Sequence, residues 1–233
     1  MIIRFALKEK YLGCFFYFIC LLLFFTSSCD DNIDDSELSN EYFPIQLGNS
    51  WTFEETYYDT VQKHREVTYS ITKSIIVDEV EYFAFDNWPE FIYFPLAHYF
   101  DIDSVFIRND ENGDVVMIVN SNKFTFIKFD SSLAGTGMDI VELFDEITQT
   151  KSIWQSAIYD ANRVLETEHR KLTNGFRMVF LEFNSVGSQT DVFFFPGYGI
   201  VRMYYFAYAR DWKLKEAIIN GKKLEKIITY PNF

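Results

Sequence analysis

Cysteine is nearly absent from this chain: three occur in 233 residues, and two of them, Cys14 and Cys20, lie inside one apolar run from Leu12 to Phe25. If that run leaves during export, Cys29 is the only thiol remaining and an intramolecular disulfide is excluded. Histidine is as scarce, with only His64, His98 and His169. His64 and His169 sit among charges, in Lys63-His64-Arg65 and Glu168-His169-Arg170, where exposed strand or turn positions are expected. His98, in Pro95-Leu96-Ala97-His98-Tyr99, has apolar neighbours, and no second His or Cys stands at metal spacing from it. The chain also lacks a Gly-x-Ser-x-Gly elbow, a Gly-rich phosphate loop, a dinucleotide fingerprint and a basic patch. No metal and no cofactor is therefore expected, and nucleic acid is not an expected partner. The acid excess argues the same way, since a formal charge of −13 repels phosphate backbones and anionic lipid heads.

What the N-terminus does contain is an address. Arg4, Lys8 and Lys10 form a basic region ahead of the apolar run, which ends in Thr26, Ser27 and Ser28. This is the pattern of a secretory signal, and the run is shorter than the ~20 apolar residues a spanning helix needs. The stretch Thr26-Ser27-Ser28-Cys29 resembles the lipobox of bacterial lipoproteins. The resemblance implies that the Cys29 thiol receives a diacylglyceryl group and becomes the new N-terminus. It also gives the leftover cysteine a purpose, because acyl chains contribute about 0.8 kcal/mol per buried methylene to membrane attachment. After Cys29 come Asp30, Asp31, Asp34, Asp35 and Glu37, with few apolar residues, as in a flexible acidic tether. That segment is similar to the acidic export tag carried by some surface lipoproteins of Gram-negative bacteria. The expected organisation is a signal peptide over 1–28, a tether over 29–40 and one globular domain over 41–233. Loss of the signal, with three basic residues and Glu9, moves the formal charge from −13 to −15.

The domain's composition favours strands, with 26 Phe and 15 Tyr beside many Val, Ile and Thr. Glu66 to Thr72 alternates apolar and polar residues, as a sheet with one wet face requires. Asn112-Gly113, Asn174-Gly175 and Asn220-Gly221 each read as a hairpin turn, because Asn-Gly accepts the positive φ angles of a type I′ turn. The hairpins expected from them join 104–108 to 115–120, 164–172 to 176–183, and 214–219 to 222–228. Further strands are expected over 51–58, 75–77 with 81–85, 123–129, 191–195 and 200–207. One short helix is expected between Asp139 and Lys151, where Ile140, Val141, Phe144 and Ile147 share a helical face. The fold class is thus mainly β, a single antiparallel curved sheet or open β-barrel with one short helix.

Two motifs at the ends of the domain carry a resemblance. Near its start stands Phe43-Pro44-Ile45-Gln46-Leu47-Gly48-Asn49-Ser50-Trp51, and near its end Phe195-Pro196-Gly197-Tyr198-Gly199-Ile200-Val201, followed by Asn220-Gly221. This set resembles an uncharacterised bacterial lipoprotein family with an N-terminal Phe-Pro-x-x-x-Gly-Asn-x-Trp motif and a C-terminal Pro-Gly-x-Gly-x-Val turn. The resemblance implies a curved antiparallel sheet similar to periplasmic lipoprotein carriers, and it implies no reaction. Elementary chemistry gives the same residues structural roles: Pro44 stiffens the approach to the sheet, Gly48-Asn49 turn, and Trp51 anchors the first strand.

Candidates for chemistry are few. Asn109 to Asp114 is rich in acidic and amide groups, but aligning Gly113 with the glycine of a calcium loop puts Val119 where a bidentate carboxylate belongs. Asp101 and Asp103 could pair as carboxylates, but such pairs arise by chance in an acidic chain, and a glycosidase pair is recognised by a spatial separation that sequence spacing does not reveal. Trp88 and Tyr198 stand in turn-like contexts and are, with His98, the weak candidate ligand contacts, since exposed rings beside polar groups stack on sugar faces; core packing is the expected fate of most Trp and Tyr here, and a core or rim position that of His98. The function these observations favour is a lipid-anchored outer-membrane or cell-surface lipoprotein acting as a non-enzymatic binding or interaction module. Its membrane contact is the lipid on Cys29, and its partner a glycan, an apolar ligand or a protein. The alternatives are a carrier of an apolar ligand in the cavity of a curved sheet, and a hydrolase of surface glycans.

Overall fold

β-branched and aromatic residues dominate the domain, and they are spent on fourteen strands in one antiparallel sheet. The computed structural model describes residues 41–58, 63–92, 103, 105–119, 122–135, 139–145, 150–182 and 189–232, which belong to one compact unit, Ser39–Phe233. Cys29, His98 and Asp101 lie outside the described residues. In chain order the strands are β1 (Ser50–Tyr57), β2 (Lys63–Val77), β3 (Val80–Phe85), β4 (Val105–Asn109), β5 (Val115–Val119), β6 (Asn122–Ile127) and β7 (Asp139–Asp145). They continue with β8 (Thr150–Thr167), β9 (Lys171–Glu182), β10 (Gln189–Phe195), β11 (Gly199–Tyr205), β12 (Arg210–Ile219), β13 (Lys222–Lys223) and β14 (Ile227–Thr229). The sheet runs β14-β8-β9-β10-β11-β12-β1-β2-β3-β4-β5-β6, with β7 on β8 and β13 on β12, and it does not close into a barrel.

β2 is the joint between its two halves. Residues 63–70 pair with β1, and residues 71–77 pair with β3. The sheet then folds over, so that β6, at one end of the order, faces β9 and β10 near the other. Phe126 of β6 lies 5.8 Å from Phe180 of β9, ring centre to ring centre, and Phe129 lies 5.2 Å from Phe194 of β10. Phe91, from the short turn after β3, stands 5.0 Å from Phe180 and 6.0 Å from Phe194. The Phe-Phe-Phe run of β10 is buried on both faces, as a run that cannot alternate must be. A smaller cluster of Tyr82, Val116 and Ile118 buries the back of β5 beneath Ile75, Val80 and Phe106.

Most expected strands are present, and three expectations are corrected. Residues 139–145 form strand β7, paired with 150–156, and not a helix. A helix confined between Asp139 and Lys151 is marginal without tertiary help, while the neighbouring edge of β8 satisfies the backbone of 139–145 directly. Asn174-Gly175 is not a turn but a bulge inside β9: Arg163 faces Gly175 and Leu165 faces Leu172, leaving one more residue on β9 than on β8. Asn174 takes the extra left-handed residue, with φ of 61°, and Gly175 is needed because a Cβ there would meet the Phe195 ring at 2.3 Å. The β8–β9 turn falls instead at Glu168-His169, closed by the Thr167 N–H on the Arg170 carbonyl at 2.8 Å. The Asn112-Gly113 hairpin is a three-residue loop, with Gly113 at φ 81° and its N–H on the Asp110 carbonyl at 3.1 Å. Asn220-Gly221, at φ 54° and 76°, makes the expected turn, but the chain leaves β12 after Lys223 and β14 pairs with β8.

Candidate binding surface

The strands of the central sheet have a base and a tip. At the base, the motifs from the two ends of the chain pack into one unit. Trp51 is fully buried, and its indole N–H donates to the Tyr198 carbonyl at 2.6 Å. Gly199, at φ 74°, lies so close that a Cβ would meet Trp51 Nε1 at 3.0 Å and Pro44 Cδ at 3.2 Å. Asn49 is buried and joins three segments: its amide donates to the Pro44 carbonyl at 2.9 Å, and its Oδ1 accepts from the Asn220 N–H at 2.8 Å. The Gly197 N–H donates to the Glu41 carbonyl at 3.0 Å, which fixes the point where the chain joins the sheet.

Trp88 and Tyr198 are buried, the core packing expected of most Trp and Tyr in this chain, and lack the exposure that stacking on a ligand needs. Trp88 is 6% exposed and packs 5.1 Å from the Phe85 ring, and Tyr198 is fully buried. The backbone at each position turns, but the side chain points inward, where it gains more from burial than from water. Burial pushes the Tyr198 hydroxyl up to about 12, with Glu225 raising it and Arg170 lowering it. His64 and His169 are exposed, as expected; His64 Nδ1 lies 3.4 Å from Glu54. Asp103 is also exposed. Among the described residues, no three His, Cys, Asp or Glu side chains group to hold a metal, and no helix is long and apolar enough to cross a membrane.

On the outer face, charges stand in two register rows. Asp191, Tyr204, Asp211, Thr56 and His64 follow one another across β10, β11, β12, β1 and β2. In the next row Phe193, Arg202, Lys213, Glu54 and Glu66 do the same, with Arg177 of β9 beside Phe193. Diagonal pairs join the rows. Arg202 holds Asp211 with two bonds, at 3.0 and 2.9 Å, and Arg177 Nε bonds Asp191 at 2.8 Å. Gln189 donates to the second Asp191 oxygen at 2.8 Å. The C-terminal segment crosses this face, with Arg202 donating to the Pro231 carbonyl at 2.8 Å and Lys213 over the Tyr230 ring.

Toward the tip on the inner face lies a second charged cluster. Glu55 is wholly buried: Arg210 binds one of its oxygens, with Nε at 2.6 Å, and Arg65 binds the other. Arg210 also reaches Tyr57 OH at 3.0 Å and Glu90 at 3.2 Å, and stacks over the Tyr57 and Trp212 rings. Burial holds the Glu90 carboxyl above its ordinary value against the pull of Arg210, and neighbouring Glu55 raises it further. Burial also raises the hydroxyl of Tyr69 beside this cluster. Two carboxylates therefore converge on one guanidinium, but both Glu55 oxygens are already bonded to cations. That arrangement fastens strands β12, β1 and β2 together.

The tip itself carries the exposed aromatics. The β11–β12 connection is Phe206-Ala207-Tyr208-Ala209, with Ala209 at φ 45° and its N–H on the Phe206 carbonyl at 3.2 Å. Phe206 is 44% exposed, Tyr208 66%, and Tyr58, whose N–H donates to the Ala209 carbonyl at 3.1 Å, 52%. The Tyr204 ring meets Phe206 edge-on at 4.6 Å, and Tyr205 lies 5.4 Å from Tyr208. Burial and the nearby Asp211 hold the Tyr58 hydroxyl above its usual value. The sequence reading passed over this patch, although a turn containing two aromatics and no Gly, Pro, Asn or Asp is an unusual composition for a loop and was the signal present. No family model, curated protein or solved structure matches the chain.

Proposed function

We propose that this protein is a lipid-anchored outer-membrane or cell-surface lipoprotein whose β domain is a non-enzymatic binding module, and that it binds through the aromatic tip. The observation that carries the reading is the polarity of the sheet. The chain joins at the base, where Glu41 bonds Gly197, while the exposed rings lie beyond the far end of β11. Seven strand residues separate the two, about 23 Å at ~3.3 Å per residue. A lipid on Cys29 would attach the chain through its Glu41 end, and the tip is the end of the sheet remote from that attachment. Exposed large aromatics brought to one end of a sheet by a turn and the strand beside it support a recognition surface there.

Other features agree. The Phe-rich inner face is packed against itself, with Phe91, Phe126, Phe180 and Phe194 in mutual contact, which favours a surface binder over a carrier of an apolar ligand. The carboxylates that converge, Glu55 and Glu90, are held by arginines, which favours a binder over a glycan hydrolase.

The address is tested by growing cells with radioactive palmitate. The wild-type protein is expected to incorporate label and the Cys29→Ala variant to lose it. Label that persists in the variant would defeat the anchor.

A further inference from the structure

We propose that the tip binds a neutral saccharide, with Tyr58, Phe206 and Tyr208 as its stacking platforms; the proposal deepens the reading of the tip as a binding surface and rests on it. A pyranose offers an apolar C–H face and a rim of hydroxyls, so a complementary surface needs exposed rings with hydrogen-bonding groups at their edges. The tip supplies both. Tyr58 and Tyr208 combine an apolar body with a hydroxyl. Gln189 lies beside Phe206, whose N–H donates to the Gln189 carbonyl at 3.0 Å, and its side-chain amide is held against Asp191. Half-exposed His64 and Arg65 stand on the adjoining strand, across from Thr56 and Glu55.

Size argues for a sugar over a protein. A stable protein interface engages about 20–30 residues a side. The apolar exposure at the tip comes from one four-residue turn and the adjoining Tyr58; among the described residues the other exposed large hydrophobics, Leu47, Ile76, Tyr159, Val164 and Ile228, stand on other elements, and the Tyr159 ring is covered by Arg177 at 4.4 Å. Charge argues for neutrality. The formal charge of −13 repels a polyanion, and the arginines of the adjoining strands, Arg65, Arg177, Arg202 and Arg210, are each paired with a carboxylate, which leaves exposed Lys63, across from Tyr57, as a single cation at the strand end among the described residues.

The test is native electrophoresis of the detergent-solubilised full lipoprotein through gels cast separately with a β-glucan, an α-glucan, a xylan, a mannan and, as the anionic comparison, polygalacturonate. Retardation is expected in at least one neutral gel, weakened about ten-fold or more by Tyr208→Ala or Phe206→Ala and unchanged by Ile76→Ala. No retardation in any neutral gel, retardation by polygalacturonate alone, or retardation that survives the combined Tyr58→Ala, Phe206→Ala and Tyr208→Ala variant would overturn it. Tip variants that lose crosslinking to a surface protein while no neutral gel retards the wild type would put a protein in the sugar's place. Palmitate labelling separates this from the address: a labelled protein that no gel retards fails only here, and an unlabelled protein retarded through its tip fails only in its anchor.

Discussion

Glu55→Ala is expected to destabilise the domain by about 3–5 kcal/mol, the cost of removing one partner from a buried ion pair. The large effect follows from what remains. Arg210 is left on the inner face with the half-buried Glu90 as its only carboxylate, and Arg65 loses the acid it bonds. The pair also ties β12 to β1 and β1 to β2, so its loss acts at the centre of the strand order. Glu66→Ala is the comparison, since Glu66 pairs with Lys215 and both are more than half exposed. That exposed pair is screened by water and is expected to contribute little. Urea midpoints of the two variants, with m-values checked for constancy, decide the matter; equal shifts would mean that the buried cluster is not a fastener.

Trp51→Ala is expected to cost about 3–5 kcal/mol, the range for truncating a large buried aromatic. The ring fills the base between Phe43 and Phe85, at 5.4 and 6.0 Å, and bonds the turn that joins β10 to β11. Trp51→Phe keeps much of the volume and leaves the Tyr198 carbonyl without its donor, a cost of about 1–3 kcal/mol. The ordering Ala worse than Phe worse than wild type, read from urea unfolding, is the expected result. A Phe variant as stable as wild type would show that packing alone holds the base together.

The strands were legible because their signals are local. Alternation in β2 and the apolar runs of β10 and β11 carry their own periodicity, and each reads the same whatever its neighbours do. β8 was largely missed because Asp160, Asn162 and Arg163 interrupt its apolar pattern, at the positions where its register with β9 shifts. Those irregularities are set by the partner strand and leave no mark a single segment can show. The Asn174-Gly175 pair misled for a related reason: the same φ that suits a hairpin turn suits a bulge, and what selects the bulge is the Phe195 ring, twenty residues away in sequence. Which aromatics are exposed was illegible for the same reason. Trp88 and Tyr198 sit beside turn residues yet face inward, while Phe206 and Tyr208 extend a strand-like run yet face water, because orientation is decided by the cross-strand register.

The division of labour between base and tip is the centre of this account, and thiol accessibility tests it most directly. With Cys29 acylated, the mature chain has no free thiol, so single cysteines placed by Tyr208→Cys at the tip and Leu47→Cys at the base report on their own surroundings. Both native residues are more than half exposed, so neither substitution disturbs the core. In isolated membranes treated with a bulky polyethylene-glycol maleimide, the tip cysteine and the base cysteine are both expected to react, and the wild-type protein not at all. A wild-type protein that labels at Cys29, or a tip cysteine that stays unlabelled, would contradict it.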